Sequence, residues 1–250
     1  DVNGAANTVA EMSANGSLVG ITAFSTDPDV GDVVSYSLTD NAGGLFVINA
    51  TTGVVVVNGA LNAEAGTSYD IIVRADSTDS SFNTQVFTIT VGDVDEFDTG
   101  AVMDSNGAAD TVAEDASVGT VVGVTGLATD ADATTNAITY SLDDDAGGLF
   151  AIDGSTGVVT VAGALDYETA TSHNITVRAT SADTSFSTQT FTIQVTDVNE
   201  FGVTAISDTD AAADFVLENS TVGTVVGVTA FADDADGTDT ISYALDDDAG

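Results

Sequence analysis

The chain has no cysteine and no tryptophan, one histidine, and two basic residues against 40 Asp and Glu, giving a net charge of −38. Each scarcity excludes something. Without Cys there is neither a disulfide framework nor a thiolate metal site. Without Trp there is no indole platform for a sugar cleft, so paired carboxylates do not read as a glycosidase site. Charge of this sign excludes nucleic acid, whose phosphates it repels. No apolar run reaches bilayer-spanning length, so no membrane insertion is expected. His173 has no matching nucleophile setting, which removes triad chemistry and leaves the chain read as a non-enzyme.

What is present is repetition. Val9-Ala10-Glu11 returns as Val112-Ala113-Glu114 and as Val216-Leu217-Glu218. Gly43-Gly44-Leu45-Phe46 returns as Gly147-Gly148-Leu149-Phe150, and Val73-Arg74-Ala75 as Val177-Arg178-Ala179. The offset is 103 or 104, with a one-residue adjustment near Thr134-Thr135. A period of that length means a tandem array of domains, each long enough to close its own core. The register predicts one repeat over 1–98 with its first strand truncated, a second over 99–201, and the N-terminal half of a third over 202–250. It also leads us to expect a window from a longer repetitive protein.

The chain is 43% hydrophobic and its apolar residues alternate, so the charge belongs on loops around real cores and not on a disordered acidic tail. Val33 to Leu38, Ile138 to Leu142, Val54 to Val57, Val158 to Val161, Tyr69 to Ala75 and Val86 to Val91 read as strands. Thr52-Gly53 and Thr156-Gly157 read as tight turns. No segment sustains a helical apolar period. The expected fold is all-β: tandem antiparallel Greek-key β-sandwiches with about seven strands per repeat.

Acidic residues recur at fixed places in each repeat: Glu11, Glu114 and Glu218; then Asp27 and Asp29, Asp130 and Asp132, Asp234 and Asp236; then Leu61-Asn62-Ala63-Glu64 and Leu165-Asp166-Tyr167-Glu168; and at the close Asp93-Val94-Asp95-Glu96-Phe97 and Asp197-Val198-Asn199-Glu200-Phe201. In extended backbone, residues i and i+2 point to one side, so Asp-x-Asp offers two carboxylates to one ion. Self-repulsion on this scale calls for neutralisation. Carboxylate oxygens favour Ca2+ over softer metals, and Ca2+ takes six to eight oxygens.

The ordered set resembles the cadherin family, specifically the cadherin-like repeats of bacterial surface proteins and large calcium-dependent adhesins. Phe150-Ala151-Ile152, Thr156-Gly157-Val158, Leu165-Asp166-Tyr167-Glu168 and Asp197-Val198-Asn199-Glu200 follow the family's order and spacing. The resemblance implies Ca2+ between successive repeats. At the first junction the implied ligands are Glu11, Glu64, Asp95, Glu96, Asp130 and Asp132, with carbonyls of Val94 and Phe97. At the second they are Glu114, Asp166, Glu168, Asn199, Glu200, Asp234 and Asp236, with carbonyls of Val198 and Phe201. Asn62 and Thr180 stand where the family has Asp, with Asp76 as the counterpart of Thr180 serving a junction before Asp1. These departures lead us to expect tighter Ca2+ binding at the second junction than at the first.

Other conspicuous residues have plainer readings. His173 aligns with Tyr69, a strand position that takes an aromatic. Arg74 and Arg178 recur at one place and read as paired surface groups. Asp143-Asp144-Asp145 and Asp246-Asp247-Asp248 read as solvated hairpin loops. Asp236-Gly237-Thr238-Asp239 suggests a loop chelate. Asn174-Ile175-Thr176 and Asn219-Ser220-Thr221 match the glycosylation pattern but carry little weight in a bacterial protein.

The expected function is a calcium-rigidified extracellular stalk of a bacterial cell-surface adhesin. The competing reading is a segment of a structural polymer: a surface layer, sheath or filament. Expected partners are Ca2+, neighbouring repeats of the same chain, and homophilic or lateral self-association.

Overall fold

A computed structural model describes residues 1–236 and 238–247. No helix occurs among the described residues, and the elements are strands β1 to β17. The chain divides into two compact units: Asp1–Ala101 with Ala128–Thr139 and Thr180–Ser187, and Val102–Leu127 with Tyr140–Ala179 and Thr188–Gly250.

The first repeat contains β1 (Thr8–Ala10), β2 (Leu18–Thr22), β3 (Val34–Asp40), β4 (Phe46–Ile48), β5 (Val54–Val57), β6 (Ser68–Ser77) and β7 (Phe82–Gly92). They form one sheet in the order β1-β7-β6-β3 and another in the order β2-β5-β4. The second repeat has β8 (Met103–Asp104), β9 (Thr111–Ala113), β10 (Val121–Leu127), β11 (Thr139–Asp144), β12 (Phe150–Ile152), β13 (Val158–Val161), β14 (Ser172–Thr180) and β15 (Phe186–Thr196). Its sheets run β11-β14-β15-β9 and β12-β13-β10-β8. The six strands read from sequence all appear, and Val54–Val57 and Val158–Val161 keep the same limits.

Alternation produces the cores. Along β5 and β13 every second residue, a Val in each case, is fully buried, because period-2 side chains face one side of a pleated strand. Val19, Ile21, Phe46, Val55, Ile71 and Ile89 close the first core, and Val122, Val124, Phe150, Val159, Ile175 and Ile193 the second. Removing such side chains from water supplies about 1.5–3 kcal/mol each. The aromatic position is shared: Tyr69 meets Phe46 edge-on with ring centroids 6.4 Å apart, and His173 meets Phe150 the same way at 5.9 Å. His173 is therefore a packing residue.

The pairing is antiparallel with one exception in each repeat. The opening strands β1 and β9 run parallel to the closing strands β7 and β15, in register Val9↔Val91 and Val112↔Val195. This places the residue after each opening strand, Glu11 or Glu114, beside the end of the closing strand: the Glu11 amide donates to the Gly92 carbonyl at 2.9 Å, and the Glu114 amide to the Thr196 carbonyl at 3.1 Å. The approach depends on a bulge in the neighbouring strand. Gly20 and Gly123 have φ of 82° and 90°, and a Cβ there would lie 2.1 Å from the Ala6 carbonyl oxygen or 2.2 Å from that of Ala109. Only glycine fits both the backbone angle and the space.

Arg178 donates to Asp143 through Nε and Nη2, both at 2.7 Å, so Asp143 is an ion-pair partner inside β11 and not a solvated loop residue as expected. Asp144 and Asp145 accept the amides of Ala146 and Gly148 as turn caps. Of Asp246-Asp247-Asp248, Asp248 lies outside the described residues. Over 202–247 the strands are β16 (Ser207–Asp208) and β17 (Ala230–Phe231), paired antiparallel. Phe215, Leu217, Val222 and Val225 remain exposed there, since among the described residues no second sheet covers them.

Candidate metal centres

Each acidic motif lands at one end of a repeat, and the backbone fixes how. Glu11 is 2% exposed. Its Oε1 accepts the Val94 amide at 2.8 Å and its Oε2 the Ala63 amide at 2.6 Å. Glu114 repeats the arrangement with Val198 at 2.8 Å and Tyr167 at 2.6 Å. One carboxylate thus pins the closing segment and the loop after β5 or β13 to the opening strand. Charge-assisted bonds of this type are about twice as strong as neutral ones.

Around this pin gather Glu11, Glu64, Asp93 and Glu96, each offering an oxygen within 4.8 Å of the others, and likewise Glu114, Glu168, Asp197 and Glu200. Asp93 and Asp197 were read from sequence as part of the closing motif but not as ligands. The Oδ2 of Asp93 accepts the Thr134 amide at 2.9 Å and also its hydroxyl, and the Oδ2 of Asp197 accepts the Thr238 hydroxyl. Their other oxygens, Oδ1 in both, are buried and without a hydrogen-bond partner.

The Asp-x-Asp steps form the other half of each site. Asp132 is fully buried, and its Oδ1 accepts the amides of Glu96 at 3.2 Å and Phe97 at 3.3 Å. Asp236 receives the amides of Glu200 and Phe201, both at 3.2 Å to Oδ1. Asp132 groups with Asp95 and Asp183, and Asp236 with Asp234 and Asp239. Asp130 and Asp234 each hold the amide two residues on, at 3.2 and 3.3 Å. This is a local turn cap across the step.

Four sequence-derived candidates are placed differently, Asp130 among them, since it joins none of the carboxylate groups among the described residues. Asp166 accepts the amide and hydroxyl of Thr169, both at 2.8 Å, and the structure does not bring it into the four-carboxylate group. Its counterpart Asn62 caps the same turn through Ala65, so Asn for Asp leaves the local geometry intact. Asn199 turns its Nδ2 to Asp239 Oδ2 at 2.7 Å. Asp76 pairs with Arg74 at 2.6 Å, whereas the acids brought together at that end are Asp27, Asp32 and Asp79.

Crowding raises some proton affinities. Loss of hydration, then the charges of Glu11, Glu64, Asp132 and Asp93, hold Glu96 above the usual range. Glu200 is raised by loss of hydration and by Glu114, Glu168 and Asp236. Asp95 is raised by loss of hydration, then by Asp183, Asp132, Asp130 and Asp98. Carboxylates that share a confined space, are oriented by backbone amides and keep buried, unpartnered oxygens match the donor chemistry of a hard divalent cation. Softer metals have no sulfur or paired imidazole ligand here.

A family model described as Cadherin domain matches residues 6–92 and 110–196. The chain belongs to the cadherin family. Cadherin repeats are adhesion and structural domains, not enzymes, and the domains bind Ca2+ at repeat junctions. Protocadherin Fat 4 of Homo sapiens is 34% identical over 238 residues, covering 93% of this chain and 5% of that protein. Protocadherin-like wing polarity protein stan of Drosophila melanogaster is 30% identical over 237 residues, covering 90% of this chain and 6% of that protein. The chain thus spans about 5% of the length of such relatives. The crystal structure of mouse Cadherin-23 EC22-24 superimposes with a TM-score of 0.64 at 26% identity, covering 94% of this chain and 76% of that one. No helix among the described residues is long and apolar enough to cross a membrane.

Proposed function

We propose that this cadherin chain is a calcium-stiffened extracellular spacer, a segment of an adhesion protein in which acidic junctions hold successive repeats extended. The observation that carries the reading is the recurrence of one arrangement in two places: the buried Glu11 or Glu114 pin, four converging carboxylates, and a buried Asp-x-Asp step receiving two amides of the linker. The domain limits we assign are 1–98, 99–201 and 202–250.

At the first junction Glu11, Glu64, Asp93, Glu96, Asp95 and Asp132 would hold Ca2+, with Asp130 shaping the step. At the second, Glu114, Glu168, Asp197, Glu200, Asp234, Asp236 and Asp239 would do so, with Asn199 and Asp166 as supports. The bound ion supplies positive charge and coordination sites for oxygens that otherwise repel. The protein's part is to aim them: backbone amides fix the buried acids, and Thr134 and Thr238 orient Asp93 and Asp197. Cation binding that favours the assembled junction adds stability by mass action.

The bacterial-surface setting rests on the resemblance of these cysteine-free acidic repeats to bacterial cadherin-like repeats. The relatives described above are animal proteins. Small-angle scattering in Ca2+ and then in excess chelator tests the spacer. The expected result is a longer, stiffer particle with Ca2+ that stays monomeric. An unchanged profile and an unchanged melting temperature would sink the reading. A Ca2+-dependent fibre or lattice would favour the polymer instead.

A further inference from the structure

We propose that Asp183, at the tip of the β14–β15 hairpin, is a cation ligand of the first junction and replaces the acid missing from the strand at Thr180. The inference rests on reading the junctions as Ca2+ sites. Asp183, Asp95 and Asp132 each bring an oxygen within 4.8 Å of the others, from three separate segments: hairpin, linker and the loop after β10.

An acidic group alone would be weak evidence. Here Asp132 is fully buried, its Oδ1 is engaged by two linker amides, and its Oδ2 is buried with no hydrogen-bond partner. A dry, unpaired carboxylate oxygen beside two further acids is costly unless a cation meets it.

The surrounding bonds show why the ligand comes from the hairpin. Ser181, next to Thr180, is buried, and its hydroxyl donates to the Thr135 carbonyl at 2.8 Å. That contact ties the strand end to the loop carrying Asp132, so this inward position holds a tether and not a charge. Two residues on, Asp183 Oδ1 accepts the Ser185 amide at 2.8 Å, which orients the carboxylate and leaves Oδ2 for a ligand. The Ser185 hydroxyl in turn receives the Thr99 amide at 2.8 Å, and the Ser185 carbonyl accepts the Thr99 hydroxyl at 3.0 Å. Hairpin, linker and loop are thus hydrogen-bonded to one another before any ion arrives, which is the preorganisation a metal site needs.

The test is calorimetric Ca2+ titration of the full chain after chelator treatment, comparing wild type with Asp183→Asn, Asp183→Glu and Asp70→Asn. Asp70 is exposed on β6 and removes the same charge away from the junctions. The expected outcome is at least about tenfold weaker binding at one site for Asp183→Asn, a smaller loss for Asp183→Glu, and less than about twofold change for Asp70→Asn. Urea unfolding in chelator should leave Asp183→Asn close to wild type, separating lost ligation from lost folding. Asp183→Asn titrating like Asp70→Asn would overturn the proposal while leaving the junction reading standing. A wild type that takes up no Ca2+ would overturn both.

Discussion

The two acidic junctions agree in one half and differ in the other. Around Glu11 and Glu114 the same residue types sit in the same places and accept the same pair of backbone amides, with distances agreeing to 0.1 Å. On the Asp-x-Asp side the acids have changed position. The first junction has Asp95 on the linker and Thr135 on the loop, whereas the second has Asn199 and Asp239, with the Asn199 amide donating to Asp239. Among the described residues the first group draws its acids from linker, loop and hairpin (Asp95, Asp132 and Asp183), and the second from the loop (Asp234, Asp236 and Asp239). Ligands set by backbone hydrogen bonds are hard to relocate, because their amide partners would be left unsatisfied. Ligands that reach from loops can be exchanged, because only the summed charge and oxygen count near the ion matter.

The comparison can be broken or sharpened by experiment. The largest effect is expected from Glu11→Ala and Glu114→Ala, each of which strands two amides and removes a ligand. Both should cost about 2–4 kcal/mol in urea unfolding with Ca2+ present. Clearly unequal costs would contradict the equivalence of this half. Gly123→Ala forces a left-handed backbone angle and a collision with the Ala109 carbonyl, and should cost about 1–3 kcal/mol. Gly20→Ala should match it by thermal melting if the two bulges serve the same purpose. Asp239→Asn should weaken Ca2+ at the second junction by about tenfold, as Asp95→Asn does at the first. A loss confined to one junction would mean that the acids are not exchangeable.

The pH response is the next smaller effect. Glu96 and Glu200 have folded-state proton affinities raised above their ordinary value of 4.5. Their charged forms are therefore disfavoured in the metal-free fold. That penalty is full at neutral pH and fades as pH falls through the folded pKa toward 4.5, so the melting temperature of chelated protein should rise as pH is lowered through that window. Asp93 works the other way, lowered chiefly by the hydroxyl of Thr134, and its contribution is lost only below the ordinary value of 3.8. In saturating Ca2+ the slope over pH 7.5 to 5.5 should reverse, because protons compete with the ion. Equal slopes with and without Ca2+ would argue against carboxylate ligation. The smallest effect is expected from Asn199→Asp: slightly lower stability in chelator and slightly tighter Ca2+ binding, each about 0.5 kcal/mol.

Much of this was legible in the chain. Strand positions and the two cores followed from alternation, and the alignment put Tyr69 and His173 at one aromatic strand position, whose contacts with Phe46 and Phe150 the structure supplies. Thr180 was expected to mark a missing ligand, an expectation that says nothing of the neighbouring hairpin. Strand register could place Thr180 and Ser181, yet not a hairpin tip three residues on from Thr180 that folds back beside Asp132. Asp166 erred in the opposite direction. It fits the family motif, but a local turn claims its oxygens.

The sequence by itself determined the period, the all-β class, the alternating cores and the clustering of acid at repeat ends. Those properties reside in local pattern, where a two-residue alternation or a fixed offset survives without knowledge of contacts. Only the tertiary structure decided which acids converge: Asp93 and Asp197 in place of Asp166, Asp183 in place of Thr180, and Asp239 beside Asn199. Convergence is a matter of ångströms between segments tens of residues apart, fixed by parallel pairing of the opening strands and by amides donated across the linker. One-dimensional spacing does not encode such distances.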